Sequence, residues 1–323
     1  MEARMNTKCI ESIINEIEQH DKIALYRHIY PDQDAYGAQV GLKEIIQTTY
    51  PHKKVYLLGE MVEELSYIGQ MDDATQLEID ATWLGIIVDV GDAGRIDNQT
   101  FKTCGKLIKI DHHKAFEAPF EDVSWVDSTY PATCMMLIDL LIEAKGRLKI
   151  SKRGREVLYM GVVADTGRFE YLPNPTEVFS KLTTITYDLD VTPLYDALYK
   201  KCMDEIKFLG YIYTNFEVRK NGVGILKIPA KIITKYHLRA TEAARRVNAL
   251  KHVEGLVNWH FFAESPTTGK IHCEFRSKGP CVNEIAMQYG GGGHFLASGA
   301  ILENWDVVEA MIQVFENNCM ENN

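Results

Sequence analysis

The most constraining feature of this sequence is a regular alternation, in its first half, between short apolar runs and segments with helical spacing. The apolar runs are typical of buried strands, and they occupy residues 23–29, 54–58, 84–90 and 106–110. The helical candidates occupy residues 10–20, 35–48, 132–144 and 155–165. Strands that alternate with helices predict a parallel sheet with helices on both faces.

The pattern changes after about residue 185, and this change predicts two domains. A segment with Pro193 and several acidic residues is typical of a connector, and the chain beyond it is richer in strands. We therefore predict an α/β domain over residues 1–185, a linker over 186–207 and a smaller α+β domain over 208–323. A chain of 323 residues is long enough for two domains of this kind.

The charge of the chain is also distributed unevenly. The formal net charge of −10 argues against a protein that binds duplex DNA without sequence preference. Residues 1–185 carry 20 basic and 29 acidic side chains, whereas residues 210–300 carry 12 basic and 6 acidic ones. This division predicts cations on one side of a cleft and an anionic ligand on the other. Random drift in composition is the plain alternative.

Cysteine usage and hydropathy indicate a compartment. The seven cysteines are scattered without a Cys-x-x-Cys pair, which fits reduced thiols in a cytosol. No apolar run approaches the roughly 20 residues of a membrane span, and the first residues lack the features of a signal peptide. We expect a cytoplasmic protein with no membrane partner.

Acidic and imidazole side chains follow the apolar runs at four places. They are His28, Asp32 and Asp34, then Asp89, then Asp111, His112 and His113, and finally Asp165. Because ligands of parallel α/β sheets bind beyond the carboxyl ends of the strands, we expect these side chains to meet at one edge. Taken singly, Asp34 could cap a helix and His28 could be a core histidine. Four clusters at one edge favour a shared metal site, since buried carboxylates are costly unless a cation neutralises them.

The donor set restricts the choice of metal. Carboxylate oxygens suit Mg²⁺ and Mn²⁺, imidazole suits transition metals, and the clusters contain no thiolate. At least four aspartates and two histidines can hold two divalent ions roughly 3.5–4 Å apart, an arrangement suited to phosphoryl chemistry. We expect Mn²⁺ first, and Mg²⁺ or Co²⁺ second.

A candidate anion site occurs in the second half. Arg276 and Lys278 follow a predicted strand, and four consecutive glycines precede His294. Arginine can clamp a phosphate with two hydrogen bonds, and lysine adds a point charge. A glycine run lets backbone amides approach an anion closely, although a flexible loop has the same composition.

These motifs together resemble the DHH/DHHA1 phosphoesterase superfamily, whose name matches the triplet Asp111-His112-His113. The N-terminal motifs, at residues 28–37, 86–92, 110–113 and 161–169, stand in the family's order, and the resemblance covers nearly the whole chain. It is greatest to the two-domain NrnA-type branch. It implies a DHH domain with a parallel sheet flanked by helices, and a DHHA1 domain across a cleft. Gly290 and Phe295 replace the Asn and Pro that are usual in the glycine motif, a departure expected to affect substrate preference rather than activity.

The resemblance also implies a role for each candidate residue. One ion would be held by His28, Asp32 and Asp89. The other would be held by Asp34, Asp89, His112 and Asp165, with Asp89 bridging. The remaining catalytic residues would be Asp111, which orients its neighbours, and His113, which faces the scissile phosphate. A substrate phosphate would be bound by Arg276, Lys278, Gly291, Gly292, Gly293 and His294.

The function implied is that of a two-metal phosphoesterase. It would hydrolyse very short single-stranded RNA to mononucleotides and remove the 3′-phosphate of 3′-phosphoadenosine 5′-phosphate (pAp). A linear dinucleotide phosphodiesterase, acting on pApA or pGpG in cyclic dinucleotide turnover, would use the same residues. The glycine motif argues against an inorganic pyrophosphatase, and the complete ligand set argues against a non-catalytic nucleotide-binding module. The oligomeric state stays open, with a homodimer as one alternative.

Overall fold

The computed structural model describes residues 2–114 and 118–321 and divides into two compact units, Met1–Lys200 and Lys201–Asn323. The strands of the first unit are β1 (Lys22–Tyr26), β2 (Lys54–Leu57), β3 (Leu84–Val88), β4 (Lys106–Asp111) and β5 (Val123–Val126). Its helices are α1 (Glu2–Gln19), α2 (Gln33–Thr49), α3 (Thr133–Glu143), α4 (Lys152–Asp165), α5 (Pro175–Thr186) and α6 (Thr192–Tyr199).

The first unit is built on a five-stranded parallel sheet in the order β2-β1-β3-β4-β5. In the register of this sheet, Ile23 pairs with Val55 on one side and with Leu84 on the other. The four predicted strands and four predicted helices are confirmed, with shifted bounds. Strand β5 was not predicted.

The two faces of this sheet are covered differently. Residues such as Leu25 and Ile86 pack into a core to which all of α1–α6 contribute. Residues of the opposite face, such as Tyr26 and Ile87, pack against loops and a short 3₁₀ helix at Gln99–Thr103. The expectation of helices on both faces was therefore wrong for this second face. The connection between β3 and β4 is interrupted by glycine, Asp and Asn, which favour turns over a long helix.

Close helix packing brings the ends of α2, α3 and α4 together. A Cβ atom on Gly37 of α2 would lie 2.7 Å from the Val157 carbonyl oxygen of α4. A Cβ atom on Gly161 of α4 would lie 2.3 Å from Cys134 Sγ and 3.0 Å from Asp34 Oδ1. Only glycine permits this approach, which places Asp34 beside α3 and α4.

The second unit contains a six-stranded mixed sheet in the order β10-β11-β9-β8-β7-β6. Its strands are β6 (Glu217–Val218), β7 (Val223–Ile228), β8 (Asn258–Glu264), β9 (Ile271–Ser277), β10 (Gly292–His294) and β11 (Ala297–Leu302). Its helices are α7 (Met203–Asn215), α8 (Ala230–Lys235), α9 (Ala240–Arg245), α10 (Asn283–Gln288) and α11 (Trp305–Glu321). Phe262 and Phe275 face a core shared with α10 and α11, and Trp259 and Phe261 face a core shared with α7–α9.

The predicted linker, residues 186–207, is largely helical. Leu194 of α6 packs in the core of the first unit, and Phe208 of α7 packs in a core of the second. The boundary between the units falls between Lys200 and Lys201. Among the residues described, no helix has the length and apolar character needed to cross a membrane.

Candidate metal and phosphate-binding sites

The structure brings the six predicted metal ligands, together with Asp111 and His113, to one edge of the first unit. His28 follows β1, Asp89 follows β3, and Asp111 ends β4. Asp34 lies in the first turn of α2, and Asp165 ends α4. Three groups have potential ligand atoms within 4.8 Å of one another. They are His28, Asp32 and Asp89; Asp34, His112 and Asp165; and Asp89, His112 and His113.

Asp89 lies at the centre of these groups. Its Oδ2 is 3.5 Å from His28 Nε2, and its Oδ1 is 3.5 Å from His112 Nε2 and 3.6 Å from His113 Nδ1. The residue has a left-handed backbone conformation (φ 60°), which is uncommon outside glycine and tolerated best by Asp and Asn. The distances show that the two oxygens of this buried carboxylate face different imidazoles, an arrangement compatible with contact to two ions.

The N-terminal turn of helix α3 donates hydrogen bonds to two of these carboxylates, Asp34 and Asp89. The amides of Thr133 and Cys134, at its first turn, donate to Asp34 at 2.6 and 3.0 Å. The Thr133 hydroxyl donates to Asp89 Oδ1 at 2.9 Å. A helix N-terminus stabilises negative charge, so α3 partly offsets the burial of these groups. The sequence did not predict this role, because Asp34 and Thr133 are far apart in the chain.

Asp34 does not cap helix α2, although its position in the sequence allowed that role. The side chain of Asp32, not that of Asp34, caps this helix, with Oδ1 accepting from the amides of Asp34 and Ala35 at 3.0 Å each. Capping uses one carboxylate oxygen. The other remains for a cation in the group with His28 and Asp89.

The cluster has more negative charge than its own histidines neutralise. Burial, together with the charges of Asp89 and Asp32, raises the pKa of Asp34 well above its usual range. Burial and the charge of Asp34 likewise raise the pKa of Asp165 to about 7. Burial opposes ionisation of Asp89 as well, but the imidazoles of His28, His112 and His113 outweigh it and lower its pKa. Oxygen and imidazole donors crowded in this way fit divalent cations such as Mn²⁺ or Mg²⁺.

Asp111 contacts His113 rather than the centre of the cluster. Asp111 Oδ1 is 2.8 Å from His113 Nδ1 and accepts from the His113 amide at 3.1 Å. This hydrogen bond raises the pKa of His113 to about 9, against the effect of burial. The carboxylate therefore favours a cationic ring with a fixed orientation.

Lys109 is a residue of the site that the sequence analysis missed. Its Nζ lies 3.4 Å from Asp111 Oδ2 and donates to the Gly91 carbonyl at 3.3 Å. Both Lys109 and Asp111 are buried. The i, i+2 spacing along a strand, which places two side chains on one face, was the available signal.

The glycine run in the second unit has clear structural roles. Gly290 has a positive φ of 73° and ends α10, and the amide of Gly291 donates to the Ala286 carbonyl at 2.8 Å. A Cβ atom on Gly291 would lie 2.2 Å from the Gly299 carbonyl oxygen. The Gly291 amide is therefore engaged in a hydrogen bond that ends the helix, and phosphate binding by Gly291 stays a prediction. Gly292 has open space around its Cα, and Gly293 continues β10.

The cationic side chains of the second unit are partly engaged. Arg276 donates to Glu274 Oε2 at 2.9 Å and to Asn248 Oδ1 at 3.2 Å. Lys278 is exposed, with Nζ 3.4 Å from the Val253 carbonyl oxygen. His294 is exposed and pairs with Ala297, which in turn pairs with Arg276, so His294 and Arg276 share one face of the sheet.

A cavity of about 460 Å³ adjoins the glycine run. Polar side chains in its wall include Arg245, His272 and Glu274, and its rim includes Gly291 and Gly292. Arg245 was not among the predicted residues. The cavity, rather than a row of free amides, is the concave feature next to this motif.

Comparison with known proteins identifies the family. The model of the DHH family, N-terminal domain, matches residues 22–162, and the model of the DHHA1 domain matches residues 225–321. A relative from Bacillus subtilis (strain 168), named bifunctional oligoribonuclease and PAP phosphatase NrnA, is 36% identical and aligns over 96% of this chain and 98% of its own length. The chain belongs to the DHH family. A second relative of the same name, from Mycoplasma pneumoniae, is 33% identical over 91% of this chain and 92% of its own length.

A solved structure supports the DHH fold. An exopolyphosphatase-related protein from Bacteroides fragilis matches with a TM-score of 0.79 at 23% identity. The match covers 97% of this chain and 96% of the other. At this identity the likeness shows the fold alone.

Proposed function

We propose that this DHH family protein is a metal-dependent phosphoesterase of the cytoplasm. It hydrolyses very short single-stranded oligoribonucleotides to mononucleotides and removes the 3′-phosphate of pAp to give AMP. The observation that carries the proposal is the central carboxylate of Asp89, whose two oxygens face His28 on one side and His112 on the other. The names of the relatives support the substrate class.

The cluster is proposed to hold two divalent ions, Mn²⁺ in first place and Mg²⁺ or Co²⁺ in second. One ion is assigned to His28, Asp32 and Asp89, and the other to Asp34, His112 and Asp165. Asp89, whose Oδ1 is 3.5 Å from His112 Nε2, is assigned to the second ion as well. Such ions, when bound, polarise phosphoryl oxygens and lower the pKa of water. The protein's part is to fix the ligand directions, which the Thr133 hydroxyl and the α3 amides do for Asp89 and Asp34.

His113 is proposed to contact the scissile phosphate. Asp111 accepts at Nδ1, so Nε2 is the ring nitrogen left to donate to a phosphoryl oxygen. A cationic donor held in place before the reaction stabilises charge that develops on those oxygens. Lys109 keeps Asp111 paired, so it acts on His113 through Asp111.

The second unit is proposed to bind a substrate phosphate. Arg276, Lys278 and His294 supply cationic or imidazole donors, and Gly292 and Gly293 supply the backbone around them. Arg276 would exchange its contact with Glu274 for one with phosphate, which accepts paired hydrogen bonds from arginine. Gly292→Ala tests this directly, because a methyl group there meets no protein atom and would obstruct only a ligand.

A substrate panel tests the proposed function. The purified chain is assayed with pAp, pApA, pGpG, RNA of three to ten nucleotides and duplex DNA, in Mn²⁺, Mg²⁺ or chelator. We expect hydrolysis of pAp and of the shortest RNAs with Mn²⁺, slower hydrolysis of longer RNA, and none of duplex DNA. Absence of phosphate release or mononucleotides from every substrate would contradict the proposal.

A further inference from the structure

The first unit also has a cavity, which lies beside the metal cluster and shares His113 with it. Its volume is about 520 Å³, within the range typical of small-ligand sites. Its charged, polar and aromatic lining side chains are Lys109, His113, Lys114, Phe120, Glu121, Ser124 and Ser128.

The floor of this cavity is formed by the paired strands β4 and β5. In their register, Lys109 pairs with Ser124, and Asp111 pairs with Val126. Directly paired residues point to the same side of a sheet, so Lys109 and Ser124 form one surface of the cavity. This surface lies next to the end of β4, where His112 and His113 follow. A ligand on this surface is fixed relative to His113, because strand backbones hold both.

The cavity combines the groups that recognise a nucleoside. Phe120 is half-buried and its ring lies 6.0 Å from that of Phe101, which supports it from one side. Base stacking on such rings is tolerant of sequence. Ser124 and Ser128 line the cavity with exposed hydroxyls, and Lys114 adds an exposed cation to that of Lys109, partly offset by the carboxylate of Glu121.

His113 joins this cavity to the metal cluster. The residue lines the cavity, and its Nδ1 lies 3.6 Å from Asp89 Oδ1. One imidazole ring therefore separates the cavity from the groups proposed to hold the ions. A group bonded directly to the scissile phosphate is the part of a substrate that would reach it.

We propose that this cavity binds the nucleoside joined to the scissile phosphate through its 5′-oxygen. The inference rests on the proposed function. Hydrolysis adds water to phosphorus and breaks the bond to the 3′-oxygen, which leaves with a proton. The phosphate then remains on the 5′-nucleoside. In pApA that nucleoside exists, whereas in pAp the scissile phosphate carries none, so only oligonucleotides would fill the cavity.

The test is the ratio of kcat/KM for pApA to kcat/KM for pAp, measured with Mn²⁺. Phe120→Ala is expected to lower this ratio about tenfold, the loss typical of one stacked base. Phe120→Tyr, which keeps an aromatic face, should restore it. Because Phe120 also packs against Phe101, Lys114→Ala provides a second variant on an exposed residue, with an expected fall of about threefold. Lys102→Ala makes the same charge change at an exposed position outside the cavity and should leave the ratio unchanged.

The outcomes separate this inference from the proposed function. An active enzyme whose ratio stays unchanged in Phe120→Ala and Lys114→Ala would overturn the nucleoside site alone. An equal fall for both substrates would overturn it too, because it would show a general effect on the site. A wild-type chain that hydrolyses neither pApA nor pAp would refute the proposed function and this inference together.

Discussion

The two units differ in how their polar groups are held before any ligand binds. In the first unit, Asp34 and Asp111 are fully buried, and each accepts two hydrogen bonds from the protein. In the second, Lys278 and His294 are exposed, and Arg276 is engaged by a neighbouring glutamate. The first arrangement is preorganised for a fixed ligand, and the second can exchange partners. Chemistry is therefore expected from the first unit and adaptable binding from the second.

A buried histidine of the second unit sharpens the contrast. His260 in β8 stacks on Phe315 at 3.7 Å, and among the described residues neither ring nitrogen has a hydrogen-bond partner. Burial lowers its pKa to about 3, whereas Asp111 raises that of His113 to about 9. Burial therefore favours the neutral ring of His260, whereas Asp111 favours the cationic ring of His113.

The largest effect is expected at Asp89. Asp89→Ala removes the carboxylate that belongs to two of the three groups of potential metal ligands. It should lower kcat for pAp by about 10³-fold or more. Steady-state kinetics with added Mn²⁺ measure this, with the exposed Asp80→Ala as a control. Near wild-type turnover in the Asp89 variant would refute the bridging assignment.

A smaller but still large effect is expected at Lys109. Lys109→Met removes one of the two cations beside the buried Asp111 carboxylate and leaves only His113, which should cost about 3 kcal/mol of unfolding free energy. The misplaced His113 should also lower kcat by about tenfold or more. Urea denaturation and kinetics measure both, with Lys106→Met, on the same strand, as the control and Lys109→Arg as partial rescue. A stable variant with unchanged kcat would show that Lys109 does not position His113.

In the second unit, Arg276→Ala should act on binding. Loss of a charge-assisted hydrogen bond costs about 1.5–3 kcal/mol, which raises KM about ten- to a hundredfold. Its kcat should change little, because the residue lies outside the metal groups. Lys270→Ala removes an exposed cation paired with Glu303 and serves as the control. An unchanged KM for every phosphorylated substrate would count against the phosphate site.

The smallest effect is expected from the titration of His260. Because its pKa is lower in the folded than in the unfolded chain, its contribution to stability is complete above about pH 6.5 and is lost as the pH falls toward 3. The loss between pH 7 and pH 5 should be about 2 kcal/mol. His260→Leu should abolish this component in urea denaturation, whereas the exposed His52→Leu should retain it. Identical pH dependence in wild type and His260→Leu would exclude this cause.

Local patterns in the sequence were sufficient to predict the framework of the first unit. Strand-length apolar runs end directly before Asp89 and Asp111. In a parallel sheet the carboxyl ends of neighbouring strands lie at one edge, so these residues come together. Strand β5 has the sequence Val-Ser-Trp-Val, in which Ser124 interrupts the apolar run, so it gives no such pattern. The covering of the sheet face that contains Tyr26 and Ile87 was not predicted either. The β3–β4 connection that packs there folds into short 3₁₀ helices, which hydrophobic periodicity does not reveal.

Non-local contacts account for most of what the sequence did not reveal about the sites. The support of Asp34 by Thr133 joins residues 99 positions apart, and no local pattern encodes it. The glycine motif was detectable, but the use of the Gly291 amide depends on where α10 ends. Lys109 could have been found from its strand spacing to Asp111, which is a local signal.

The buried carboxylate and imidazole cluster of the first unit is proposed to hydrolyse phosphoesters through divalent ions. The most direct measurement is pAp turnover by chain stripped with a chelator and then titrated with Mn²⁺, with bound metal counted at each point. Turnover should be absent in the stripped chain and return as about two ions bind per chain, and Asp89→Ala should bind fewer. Full turnover in the stripped chain, or recovery that is independent of bound metal, would show that hydrolysis does not depend on ions in this cluster.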